Sequence, residues 1–142
     1  MDMHLDTPAL VCAREPGLGV DEFRRVLVDS GLGRIRPIGD PGRLQQMLDA
    51  ADLVLTARTG DGRLVGVARC ITDFSWCAYL SDLAVCASAQ GLGVGRALLD
   101  ALRRELGPRV TLALQSVPTA VGFYERAGMA PMADTFCLRR QH

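Results

Sequence analysis

The chain contains no lysine: all sixteen of its basic residues are arginine. A nucleotide-binding P-loop that closes on Gly-Lys-Ser/Thr is therefore excluded. Only two histidines occur, His4 and His142, one near each end, where chains are usually poorly ordered. Without a central imidazole there is no base for a Ser-His-Asp or Cys-His arrangement and no histidine-built metal centre. The five cysteines, Cys12, Cys70, Cys77, Cys86 and Cys137, are widely spaced, and no Cys-x-x-Cys occurs. That pattern argues against a disulfide framework or zinc site and for free thiols within apolar segments. No apolar run approaches the roughly 18 residues of a membrane span. The opening MDMHLDTPAL lacks the basic-then-apolar order of a secretory signal, so a cytoplasmic protein is expected, with no membrane partner. Sixteen acidic residues balance the arginines, and nothing points to a nucleic-acid partner.

What is present suffices for a core. Of the 142 residues 49% are hydrophobic, which fits one domain over residues 1–142. Residues 8–15 read as a first strand. Residues 20–32 place Phe23, Val26 and Leu27 at helical spacing with Asp21 and Glu22 in the first turn, a helix stopped at Gly31 or Gly33. A glycine- and proline-rich loop over 33–42 leads to a second helix over 41–51. Strands over 52–58 and 63–71 flank the hairpin turn Thr59-Gly60-Asp61-Gly62. After the connection TDFSWC (72–77), strand 78–86, helix 93–106, strand 109–116, helix 118–128 and a last strand near 135–139 follow. Hairpins mixed with crossovers predict an α+β fold on a mixed sheet.

The densest signal is QGLGVG at 90–95, which follows the strand and runs into the start of helix 93–106. The first turn of a helix has unpaired N–H groups, and its dipole favours negative charge. Glycine lets the main chain approach a phosphate closely. A dinucleotide fingerprint fits poorly, because the spacing is G-x-G-x-G and lies two-thirds of the way along the chain.

The pattern Gln90-x-x-Gly93-x-Gly95 resembles the acyl-CoA loop of the GNAT superfamily of N-acetyltransferases. YLSDLAV (79–85) resembles that family's fourth strand and TAVGFYERAGM (119–129) its later helix, in the family order, over roughly residues 52–139. The resemblance implies a central mixed, mostly antiparallel sheet flanked by helices. In it, the strands holding 78–86 and 109–116 splay apart around a cofactor arm. It implies acetyl-CoA as cosubstrate, no metal, and direct attack of an amine in a ternary complex, with the cysteines as bystanders.

By the same resemblance, Tyr124 is the general acid that protonates the departing sulfur; the alternative is an aromatic that closes its helix onto the sheet. The Val85 amide matches an oxyanion-type donor, at a bulge where the strand splays. Leu83 and Ala84 would bond the pantetheine through their backbones. Gln90, Gly91, Leu92, Gly93, Val94, Gly95 and Arg96 would cradle the pyrophosphate, with Arg96 either adding charge or facing solvent. Tyr79 stands where some members carry a glutamate base, eleven residues before Gln90, and tyrosine is a poor base with a reference pKa of about 10. Val117 stands where many members carry asparagine, with Ser116 as the nearest substitute. Asp73 and Asp82 are the nearest acids, as base, turn residue or structural acceptor.

The acceptor pocket would involve residues 20–35, Asp73, Phe74, Trp76 and Tyr79. Trp76, the single tryptophan, would hold an ammonium by cation–π contact or fill the core. A small amine and a protein N-terminus are both open as acceptors. An exposed strand edge near the C-terminus would support a homodimer. The competing function is a non-catalytic acyl-CoA sensor; a nucleotide-binding regulator is disfavoured by the loop.

Overall fold

The three longer helices form where apolar residues recur every three to four positions, and each buries that stripe on a sheet. The computed structural model describes residues 9–142, so Pro8 and His4 lie outside the described residues. Helix α1 (Val20–Ser30) buries Phe23, Val26 and Leu27 and ends at Gly31, whose φ of 90° suits glycine. Helix α2 (Pro41–Ala50) starts on Asp40, whose side chain accepts the Arg43 N–H at 3.1 Å, with Pro41 in its first turn. Helix α3 (Val94–Leu106) buries Val94, Leu98, Leu102 and Leu106 along one stripe, and α4 (Val121–Arg126) is short.

The five strands are β1 (Leu10–Arg14), β2 (Leu53–Thr59), β3 (Leu64–Thr72), β4 (Cys77–Val85) and β5 (Thr111–Leu114). They lie in sequence order; β1 to β4 pair antiparallel and β5 joins β4 in parallel. The fold is thus α+β on a mixed, mostly antiparallel sheet, as the sequence predicts. One face, with Leu53, Leu55, Ala68 and Cys70, lies under α3. The other, with Val54, Leu64 and Val67, lies under α1 and α2.

Two expectations are corrected. The helix expected over 118–128 begins as a 3-10 turn at Pro118–Ala120 and becomes α-helical only from Val121. The strand expected near 135–139 is not formed. Phe136 and Leu138 are fully exposed there, and a strand needs a neighbour to take its N–H and C=O groups. The thiols also divide: Cys70 and Cys86 are buried, and Cys77 and Cys137 are exposed. Burial pushes the Cys70 thiol up to about 11. Among the described residues no helix is long and apolar enough to cross a membrane.

Candidate active site

One extra residue in β4 makes the site. Arg69 of β3 pairs with Asp82, but Cys70 pairs with Leu80, so Ser81 is a bulge. The bulge reverses which face each later residue takes. Ala78 and Leu80 face α3, whereas Ala84 faces α1 and α2. It also coincides with the end of β5 pairing: Cys77–Leu80 pairs with Thr111–Leu114, and beyond Leu80 the two strands part. The expected splay is therefore present, but its bulge lies at Ser81 rather than at Val85.

Two arginines clamp the bulge. Arg36 donates to the Ser81 carbonyl at 2.7 Å and to Asp82 at 2.6 Å. Arg69 donates to the Ser81 hydroxyl at 2.8 Å and also pairs with Asp82. Asp82 is buried between the two guanidiniums. It is a structural acceptor, and the bulge carries its side chain to the face where Arg36 and Arg69 lie.

The register then decides which amides are free. The Cys86 N–H donates to the Val65 carbonyl at 2.8 Å, and Val85 pairs with Gly66. Antiparallel pairing alternates, so the Ala84 amide also faces β3, while those of Leu83 and Val85 face away, into the gap beside β5. Of the three residues singled out on this strand, Leu83 and Val85 thus offer outward amides. Ala84 contributes only its place in the wall, because its backbone is engaged by Val67.

The glycine turn closes the end of the gap. Gly91 and Gly93 have φ of 80° and 84°, a region costly for other residues. Gly93 precedes α3 without a side-chain cap, and the first intrahelical bond runs from the Ala97 N–H to its carbonyl. The amides of Val94, Gly95 and Arg96 are left without helical partners. A Cβ on Gly95 would come within 3.3 Å of the Phe123 ring, so a larger residue would close this approach. These features fit a pyrophosphate on the turn. Arg96 spends its guanidinium on Asp100 at 3.1 Å.

Two cavities meet at the splay. One, of about 720 Å³, is lined by Leu83, Ala84, Val85, the turn and Phe123. It includes Gln90, Gly91, Gly93, Val94, Gly95 and Arg96, but not Leu92, which is 72% exposed. The other, of about 840 Å³, is lined by Tyr79, Ser81, Gln115 and Ser116 together with several arginines. Leu83, Val117 and Tyr124 line both. Tyr124 stacks edge-on against Phe123 with ring centres 5.0 Å apart. Burial raises its pKa, so its phenol keeps its proton. Ser116 donates to the Val117 carbonyl at 2.7 Å.

The family model of the acetyltransferase (GNAT) domain matches residues 32–139. The chain belongs to the GNAT acetyltransferase family. Among curated proteins it is 34% identical over 123 residues to serotonin N-acetyltransferase 2, chloroplastic, of Oryza sativa subsp. japonica. The match covers 83% of this chain, which spans 60% of that relative's length. Among solved structures, a protein of Deinococcus radiodurans R1 described as an acetyltransferase is 29% identical, with a TM-score of 0.72 over 92% of this chain and 88% of that one. Aminoglycoside N-acetyltransferase AAC(6')-Iy, solved with CoA, is 16% identical with a TM-score of 0.72 over 96% and 97%, and shares the fold.

Within this GNAT domain, three expected acceptor residues, Asp73, Phe74 and Trp76, fall outside both cavities. Asp73 is consumed by its own turn: its carboxylate accepts the N–H groups of Trp76 at 2.8 Å, Ser75 at 2.9 Å and Cys77 at 3.2 Å. Those bonds hold its pKa below the usual carboxylate range. Trp76 is 78% exposed, neither core nor cavity wall. Phe74 turns to Arg14, whose guanidinium lies 5.8 Å above its ring. Tyr79, by contrast, does line the larger cavity. Arg34, within the expected stretch 20–35, lines both cavities; the residues that sequence reasoning missed are Arg36, Arg43, Arg69, Arg139, Arg140 and His142 of the larger cavity and Arg126 of the smaller one. The only sequence signal of these arginines was the all-arginine composition. Among the described residues no three His, Cys, Asp or Glu side chains gather as metal ligands would.

Proposed function

We propose that this chain transfers the acetyl group of acetyl-CoA to an amine by direct attack in a ternary complex. One observation carries the reading: a phosphate-suited glycine turn and a second, open cavity meet at Leu83, Val117 and Tyr124. The smaller cavity takes the cofactor, with its pyrophosphate on the amides of residues 90–96. The free Leu83 amide suits the pantetheine arm, and the free Val85 amide faces charge that develops on the acyl oxygen.

The amine enters from the larger cavity. Its nitrogen forms the new C–N bond as the C–S bond breaks. Tyr124 gives its proton to the departing sulfur and regains one from solvent. The larger cavity is lined by no aspartate or glutamate, and its one imidazole is that of His142; the amine's own proton leaves to water, which Tyr79 orients. Residues 1–142 act as one transferase domain, in the cytoplasm. A homodimer along the outer edge of β5 goes with this reading, since β5 is the last strand of the sheet; light scattering reads it as a doubled mass.

Calorimetric titration with acetyl-CoA, followed by thiol release against a panel of amines, tests the proposal. Micromolar binding with amine-dependent release is the expected result. Binding without release on any amine favours the sensor. No binding overturns the role given to residues 90–96.

A further inference from the structure

The larger cavity has a charge that acetyl transfer alone does not require. Arg34, Arg43, Arg139 and Arg140 line it. Among the described residues none of these four has an aspartate or glutamate within ion-pair distance; Arg43 donates to the main-chain oxygen of His142 at 3.5 Å. Beside them, Arg36 and Arg69 share the single carboxylate of Asp82, so that triad keeps one net positive charge. No aspartate or glutamate lines the cavity. The chain as a whole is neutral, so the excess is local. It is also contributed by four separate segments: the loop after α1, α2, β3 and the residues after α4. Guanidinium groups stay charged at any working pH, and their planar forks match carboxylates and phosphates.

We infer that the acceptor is a small amine that also carries an anionic group, a carboxylate or a phosphate, seated on these arginines. The inference rests on the transferase reading. A cavity of about 840 Å³ suits a small molecule. The anion end lies against Arg43 and Arg140, and the amine end faces Tyr124 and Leu83. The same positive field disfavours the ammonium form of the amine. It thereby supplies part of what a base would, in a cavity lined by no aspartate or glutamate. An amine with no anionic group gains nothing from the arginines, and a polycation is repelled.

Matched pairs of amines test this by thiol release from acetyl-CoA. Glutamate is compared with its diamide and O-phosphoethanolamine with ethanolamine, with serotonin and spermidine as amines lacking an anion. The anionic member of a pair is expected to have a kcat/KM at least about tenfold higher, an advantage that shrinks as salt rises. The glutamate and phosphoethanolamine arms tell the two anions apart. Arg43→Gln, on the exposed side of α2, is expected to raise the KM of the anionic amine about tenfold while kcat and the KM for acetyl-CoA hold. Equal or better rates with the diamide, ethanolamine, serotonin or spermidine overturn the inference. So does an Arg43→Gln effect on the KM for acetyl-CoA alone, which assigns the arginines to cofactor phosphates. Titration of each anionic amine into the CoA-bound protein reads the cavity without chemistry. Binding that Arg43→Gln weakens, with no thiol release on any amine, keeps the cavity inference and removes the transferase reading. Release with uncharged amines and no anion binding does the reverse.

Discussion

The side-chain amide of Gln90 donates to the carbonyl of Val85 at 2.9 Å, tying the glycine turn to the end of β4. That carbonyl has no β3 partner in the alternation, so Gln90 takes a group the sheet leaves free. The bond holds the Val85 amide and the turn in one arrangement.

Replacing Gln90 with alanine frees the turn from the strand. One net hydrogen bond of about 1 kcal/mol corresponds to roughly a fivefold rise in the Kd for acetyl-CoA. Titration calorimetry reads it, and circular dichroism is expected to show an unchanged fold. An unchanged Kd would mean that the turn is set by its glycines alone.

Tyr124→Phe removes the proton donor and keeps the ring against Phe123. The expected result is a kcat lower by about a hundredfold with an unchanged Kd for acetyl-CoA. Because burial raises the Tyr124 pKa, ionisation of its phenol is expected to limit the wild-type rate only above the ordinary tyrosine range. Stopped assays across alkaline pH check this. A Tyr124→Phe enzyme of full activity would favour water as the donor.

Asp82→Asn leaves two guanidiniums, one of them buried, sharing no carboxylate. Breaking a buried pair costs about 3 kcal/mol or more, so thermal and urea unfolding are expected to show a large loss. Asp73→Asn is the contrast: it alters a surface turn outside both cavities and is expected to leave acceptor KM unchanged.

The acidic limit of stability is set at another place. Arg58 of β2 pairs with Glu15 at 2.7 Å and with Glu22 of α1 at 2.9 Å. Hydrogen bonds from Arg58 are the main cause that lowers the pKa of both carboxyls. A lowered folded-state pKa gives stability that is present above the ordinary carboxylate range and is lost as pH falls through the lowered value. Melting temperature is expected to fall from about pH 5 downward, and Arg58→Gln to flatten that fall. Both glutamates are partly exposed, so the effect is modest and weakens with salt.

Much of this was legible in advance where the signal is local. Gly91 and Gly93 mark a turn because few other residues take their φ, and the stripe of α3 follows from apolar spacing alone. Tyr124 was legible because its surroundings, FYERAG, carry a family pattern. For Asp73 the sequence leaves a turn residue and a contact to the amine both open, and the structure shows the turn. An aspartate that closes a turn on three backbone N–H groups has the same sequence signature as one that faces a ligand.

The sequence by itself determined the order of the strands and α-helices as far as α4, the glycine turn and the family, since each rests on neighbouring residues and their conformational limits. Only the tertiary structure decided where the site's polar groups point. The bulge at Ser81 is a matter of register between β3 and β4, and register depends on a partner strand rather than on the strand's own residues. It turns Asp82 toward Arg36 and Arg69 and coincides with the parting of β4 from β5. The remaining arginines of the larger cavity come from the loop after α1, from α2 and from the residues after α4. Charges so far apart in sequence become one field only when the chain folds.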